Sequence, residues 1–206
     1  MKKKKAIMML LAIILAMCLC MPVSAASKNV TKKYNKQVSK MLRNFDSYFG
    51  YGCGRGKKFK FDSYCRTTMV YLPNLYTIYD KSTQYAKSKL SSQMKLYFGT
   101  KSVKLKKFEG YKWFSNPSYL IQNNNGKIVY VGGDWGEVYP VGTVKKIVQT
   151  SSKMFTVTYQ IDGYDSVIKK KCGKMGTYKI YLKKTKNKNG FIIANIKRTE
   201  TKNVAI

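Results

Sequence analysis

Met154-Phe-Thr-Val-Thr-Tyr-Gln-Ile161 is the stretch on which the reading of this fold turns. Phe155, Val157, Tyr159 and Ile161 fall on every second position with polar residues between them, so they share one face of an extended chain. The neighbouring stretches repeat the pattern. Thr143 to Thr150 supply a hairpin partner on the N-terminal side. Thr177 to Thr185 and Gly190 to Thr199 form another hairpin around Lys186-Asn-Lys-Asn189, with Tyr178, Ile180 and Leu182 on one face. Further upstream, Tyr119 to Gln122 and Lys127 to Val131 flank Asn123-Asn-Asn-Gly126, where Asn and Gly tolerate positive φ in a tight turn. Val103 and Leu105 alternate with lysines.

Before Gly99 the period is helical. Val30, Tyr34, Val38, Met41, Leu42, Phe45, Tyr48 and Phe49 recur at spacings of three and four, which predicts a helix over 28–49 ended by Gly50. Its lysine-rich polar face also suits a helix lying on a membrane surface, although packing on a core is the commoner use of such a stripe. A second helix is predicted from Asp80-Lys-Ser-Thr83 through Ala86, Leu90, Met94, Tyr97 and Phe98, with Gly99 as its stop. Gly50-Tyr-Gly-Cys-Gly-Arg-Gly56 reads as a flexible loop, and Lys57 to Phe61 as a short extended arm. Residues 63–79, interrupted by Pro73, fit neither period cleanly.

Helices first and about six antiparallel strands after them predict an α+β fold, the N-terminal helices packed against a curved sheet. This element order, over roughly residues 28–199, resembles the NTF2-like or cystatin-like cone. The resemblance implies a fold and a pocket between sheet and helix; it implies no activity.

The N-terminus carries an address. Lys2 to Lys5 are followed by an uncharged run from Ala6 to Met21, then Pro22 and the small residues Val23-Ser-Ala25 before Ala26. This predicts a secretory signal peptide at 1–25 and a single secreted domain at 26–206. The alternative is an uncleaved anchor, but the run of about 16 residues is shorter than the roughly 20 that span a bilayer. Met17 before Cys18 and Leu19 before Cys20 fit a lipoprotein signal poorly.

Charge is the most unusual property. Forty Lys and Arg face nine Asp and Glu, for a net charge of +31. Carboxylates are as scarce as lysines are abundant. Such a chain repels itself and attracts polyanions. Outside a Gram-positive-type bacterium those are anionic wall polymers, an anionic lipid surface and, non-specifically, nucleic acid. The clusters expected to bind them centre on Lys57, Lys58 and Lys60, on Lys104, Lys106 and Lys107, on Lys169, Lys170, Lys171 and Lys174, and on the lysines of 183–188. Lysine suits irregular polymers as a point charge on a flexible stem. A solvated basic surface without a ligand is the bland alternative.

Little is left for catalysis. Histidine is absent, which removes the usual triads, HExxH chemistry and the imidazole base. Gly56-Lys57 lacks the spacing of a phosphate loop, since Tyr51 and Lys58 stand where Gly and Ser or Thr are needed. Asp134 and Glu137, beside Trp135 and Tyr139, can be imagined as a sugar site. The same segment also reads as a turn. In a cone, Asp134 with Tyr159 and Trp135 is the closest approach to a pocket. Three cysteines follow the signal peptide. Cys53 with Cys65 is the shortest of three possible disulfides, worth about 3 kcal/mol by loop entropy. Cys172, after three lysines, has the surroundings of a reactive or intermolecularly bridged thiol. No metal site and no cofactor are implied. The expectation is a non-enzymatic, secreted or cell-surface binding domain; the alternative is a pocket protein for a small molecule or peptide, less readily an enzyme.

Overall fold

The computed structural model describes residues 27–52, 59–71, 83–107, 121–124, 127–130 and 138–201. Three long strands dominate it: β6 (Met154–Asp165), β5 (Val138–Gln149) before it and β7 (Lys171–Lys184) after it. With β1 (Lys28–Asn29) and β8 (Phe191–Thr201) they form a five-stranded antiparallel sheet in the order β1-β5-β6-β7-β8. The predicted face is the observed one. Phe155, Val157, Tyr159 and Ile161 are buried, as are Tyr178, Ile180 and Leu182 beside them.

The helices α1 (Thr31–Leu42), α2 (Ser63–Tyr71) and α3 (Thr83–Phe98) contribute the other half of the core. Val38, Met41, Leu42 and Phe45 bury the stripe read from the sequence, and Leu90, Met94 and Phe98 do the same from α3. Tyr34 meets Phe155 and Phe191 edge-on, each at 5.4 Å between centroids. The α+β class therefore stands.

Several boundaries differ from expectation, each for a physical reason. Residues 28–29 are strand rather than helix, because they pair with the free edge of β5, Asn29 opposite Val148. Asn29 then turns the chain, accepting from the Thr31 amide at 3.1 Å and the Thr31 hydroxyl at 2.7 Å. The first helix does not run to Gly50. It tightens to a 3-10 turn at Arg43–Phe45 and widens to a π turn at Tyr48–Gly52. Gly50 serves close approach there, since a Cβ would lie 2.5 Å from Cβ of Pro140. The ambiguous stretch begins with α2, whose Thr67 and Thr68 are buried because their hydroxyls donate back to the carbonyls of Ser63 and Tyr64. A buried face that includes threonine hides the helical period.

β5 begins at Val138, so the tail of the expected turn is strand. Pro140 is tolerated because β1 pairs only with the far end of β5, so that among the described residues no strand pairs with the edge beside Pro140. The hairpin expected near 119–131 lies in a second sheet, where β2 (Lys106–Lys107) runs parallel to β3 (Ile121–Asn124) and β3 antiparallel to β4 (Lys127–Tyr130). Among the described residues no helix is long and apolar enough to cross a membrane.

Candidate functional site

Because alternate residues of β6 feed the core, Thr156, Thr158 and Gln160 remain on the opposite face. Strand register decides what stands beside them. Thr158 lies between Lys146 of β5 and Lys179 of β7, and Lys179 is directly opposite Lys197 of β8. A bulge between Val144 and Lys146 adds Lys145, so both lysines of β5 are exposed, like Lys179 and Lys197. Four ammonium groups thus cross four strands, a span of about 14 Å at ordinary strand spacing. The next row holds Thr156, Tyr181 and Asn195, with the Lys197 Nζ 6.0 Å from the Tyr181 ring centroid. Like charges directly opposite on neighbouring strands are destabilising, so this face costs the isolated protein something.

Four of the described carboxylates are held elsewhere, and Glu200 of β8 is in register with Thr177, two residues along β7 from Lys179. Asp46 accepts from Tyr159 and Gly142, and Asp62 from the Cys65 amide. Asp165 accepts from the amides of Val167 and Ile168. Asp162 is 5 % exposed, with the Gln160 amide on it and Lys171 Nζ at 2.8 Å. Where both partners are described, that is the one Lys–Asp ion pair.

The expected clusters are distributed around this face. Lys169, Lys170 and Lys171 sit at the β6–β7 turn, with Lys174 just inside β7 opposite Asp162. Lys183 and Lys184 close the other end of β7, about 40 Å from Lys171 by strand rise. Lys179 stands between the two clusters, so β7 carries lysine along its whole length. Lys104 and Lys107 are exposed near the small sheet, and Lys106 holds its Nζ 4.8 Å from the Tyr64 ring centroid. Lys60 is exposed ahead of α2. Lys57 and Lys58 lie outside the described residues. Lys145, Lys146, Lys179 and Lys197 were not singled out from the sequence; each is an isolated or paired lysine in a strand, and only register unites them.

Tyr159 has a carboxylate partner in Asp46. Its hydroxyl donates to Asp46 Oδ1 at 2.6 Å, and the Gly142 amide donates to Oδ2 at 2.8 Å. Asp134 and Trp135 lie outside the described residues. Burial pushes the Asp46 carboxyl from the usual 3.8 up to about 6, opposed by the Tyr159 and Gly142 hydrogen bonds and the nearby Arg43 charge. Burial, and then Asp46 itself, raises the Tyr159 hydroxyl far above its ordinary range. Tyr178, the register partner of Tyr159, donates to the Phe49 carbonyl at 2.5 Å. Two neighbouring tyrosines thereby clamp the 43–52 segment onto the sheet. A Cβ at Gly142 would overlap the Tyr159 hydroxyl and the Asp46 carboxylate. The group is a tightly filled acceptor site, able to take up a proton near pH 6. Its sequence signal was an acid four residues after Leu42 and three before Phe49, on the buried stripe of a helix.

Cys65 is buried and receives the Tyr48 hydroxyl at 3.1 Å; Cys53 lies outside the described residues. Cys172 is exposed at the start of β7. Comparison with known family models, with curated proteins and with solved structures finds no match for this chain.

Proposed function

We propose that this chain is a non-enzymatic binding domain, exported by a Gram-positive-type bacterium, that holds anionic polymers of the cell envelope on the solvent face of its large sheet. The observation that carries the proposal is the lysine band Lys145, Lys146, Lys179 and Lys197, with Lys179 opposite Lys197 and with Asp46, Asp62, Asp162 and Asp165 engaged elsewhere. A polyanion laid across the strands would relieve that repulsion. Threonines between the lysines and the Tyr181 ring would add hydrogen-bonding and stacking surface for sugar units. The cone-type arrangement of a curved six-strand sheet, read from element order, belongs to the same proposal.

The test is sedimentation of the chain with cell walls, intact and stripped of anionic polymer, across a salt series. Binding to intact walls should fall with salt and with stripping, and K179Q/K197Q should bind several-fold more weakly than the parent. Binding that persists unchanged in high salt would refute the proposal. Preferential displacement by nucleic acid over wall polymer would redirect it to nucleic acid. A pocket protein is the second reading, favoured by the inward carboxylate of Asp46. Both Asp46 oxygens already accept hydrogen bonds from the protein, which sets this reading behind the first.

A further inference from the structure

The three large apolar side chains most exposed among the described residues lie at one end of the large sheet: Val167 at 64 %, Ile168 at 61 % and Tyr139 at 47 %. Val167 and Ile168 form the tip of the β6–β7 hairpin. Tyr139 stands directly opposite Tyr164 one strand over, the rings stacked at 6.0 Å and 28°. Lys169 and Lys170 follow the apolar pair, and Lys171 and Lys174 begin β7.

The tip is built rather than loose. Asp165 Oδ1 accepts from the Val167 amide at 2.8 Å and the Ile168 amide at 3.0 Å, while the Asp165 amide donates to the Lys170 carbonyl at 2.9 Å. Lys169 takes φ 51 to close the turn. A solvent-exposed turn ordinarily carries Asn, Gly, Asp or Ser. This one uses its one carboxylate to fix the backbone and projects two β-branched side chains into water.

We infer that this hairpin end is a docking site for an anionic lipid surface, distinct from the polymer-binding face of the sheet. The occupant is set by complementarity. Val167 and Ile168 enter the boundary between headgroups and acyl chains, the tyrosine pair sits at headgroup depth, and the exposed Lys169 and Lys170 meet anionic headgroups. Each lysine held near an anionic membrane adds roughly fivefold in affinity. An uncharged protein partner would accept the apolar pair but leave the lysines without purpose. A soluble polyanion would accept the lysines and leave the apolar pair in water.

The test is co-sedimentation of the chain starting at Ala26, which contains every described residue, with phosphatidylglycerol-containing and pure phosphatidylcholine vesicles. The parent should bind the anionic vesicles at least about tenfold more tightly than the neutral ones. V167S/I168S should lose about tenfold or more on anionic vesicles while keeping its binding to intact cell walls. V167L/I168F, which restores apolar bulk, should bind vesicles like the parent. K179Q/K197Q should show the reverse pattern, weakened on walls and unchanged on vesicles. If V167S/I168S binds anionic vesicles like the parent, or the parent does not distinguish the two lipids, the inference is wrong, whatever the wall experiment gives.

Discussion

Asp46 shows what a single side chain does in this fold. Its carboxyl is more easily protonated in the folded chain than in the unfolded one, 3.8 rising to about 6. The protonated form therefore stabilises: its contribution is complete below pH 4 and lost as pH rises through about 6. At about 1.36 kcal/mol per unit, the shift from 3.8 to about 6 corresponds to about 3 kcal/mol between these limits. Asp46→Asn can still accept from Gly142 and can donate to the Tyr159 oxygen without carrying charge. Denaturation from pH 4 to 7.5 should show the parent losing stability relative to Asp46→Asn; parallel curves would contradict the assignment. Tyr159→Phe leaves the carboxylate one donor short. It should lower stability by about 1–3 kcal/mol and move the Asp46 titration above its parent value, a second readout that a simple packing defect would not produce.

Turns set the ends of the long strands, and the β7–β8 turn ties two layers together. The Thr185 amide donates to the Gly190 carbonyl and the Gly190 amide to the Asn187 carbonyl, both at 2.9 Å. The Asn187 side chain donates to the Leu96 carbonyl of α3 at 2.8 Å. Gly190 has φ 73, and a Cβ there would run into the Gln37 side chain of α1, which itself donates to the Asn189 carbonyl. Gly190→Ala should cost about 1–2 kcal/mol from the left-handed backbone alone, read as a fall in the urea midpoint with an unchanged m value. The Asn-rich turn at 186–189 and the pairing of Asn124 with Lys127 were legible in the sequence because Asn and Gly have local reasons to be there. The Val167-Ile168 turn was not, since its residues break the local rule for turns.

Across the whole molecule, a net charge of +31 means that folding brings like charges together. Raising salt from about 0.05 M to about 0.5 M should raise the melting temperature by screening that repulsion. A soluble polyanion should raise it at low salt through binding to the folded state, and add little at high salt. A melting temperature indifferent to polyanion at low salt would count against the sheet face as a binding surface.

Strand alternation, helical stripes and the order of elements were properties of the sequence itself, because each reports a local period of side chains against a core. Phe155 to Ile161 and Val38 to Phe49 declared their buried faces without any tertiary information. The lysine surplus was equally plain, and so were the chemistries that the missing histidine removes. What the sequence could not determine was adjacency. Lys179 meets Lys197, and Asp46 meets Tyr159 113 residues later, only because strand register and helix docking place them together. Those placements depend on interactions summed over the whole core, so the band of charge and the half-buried carboxylate of Asp46 emerged only from the tertiary structure.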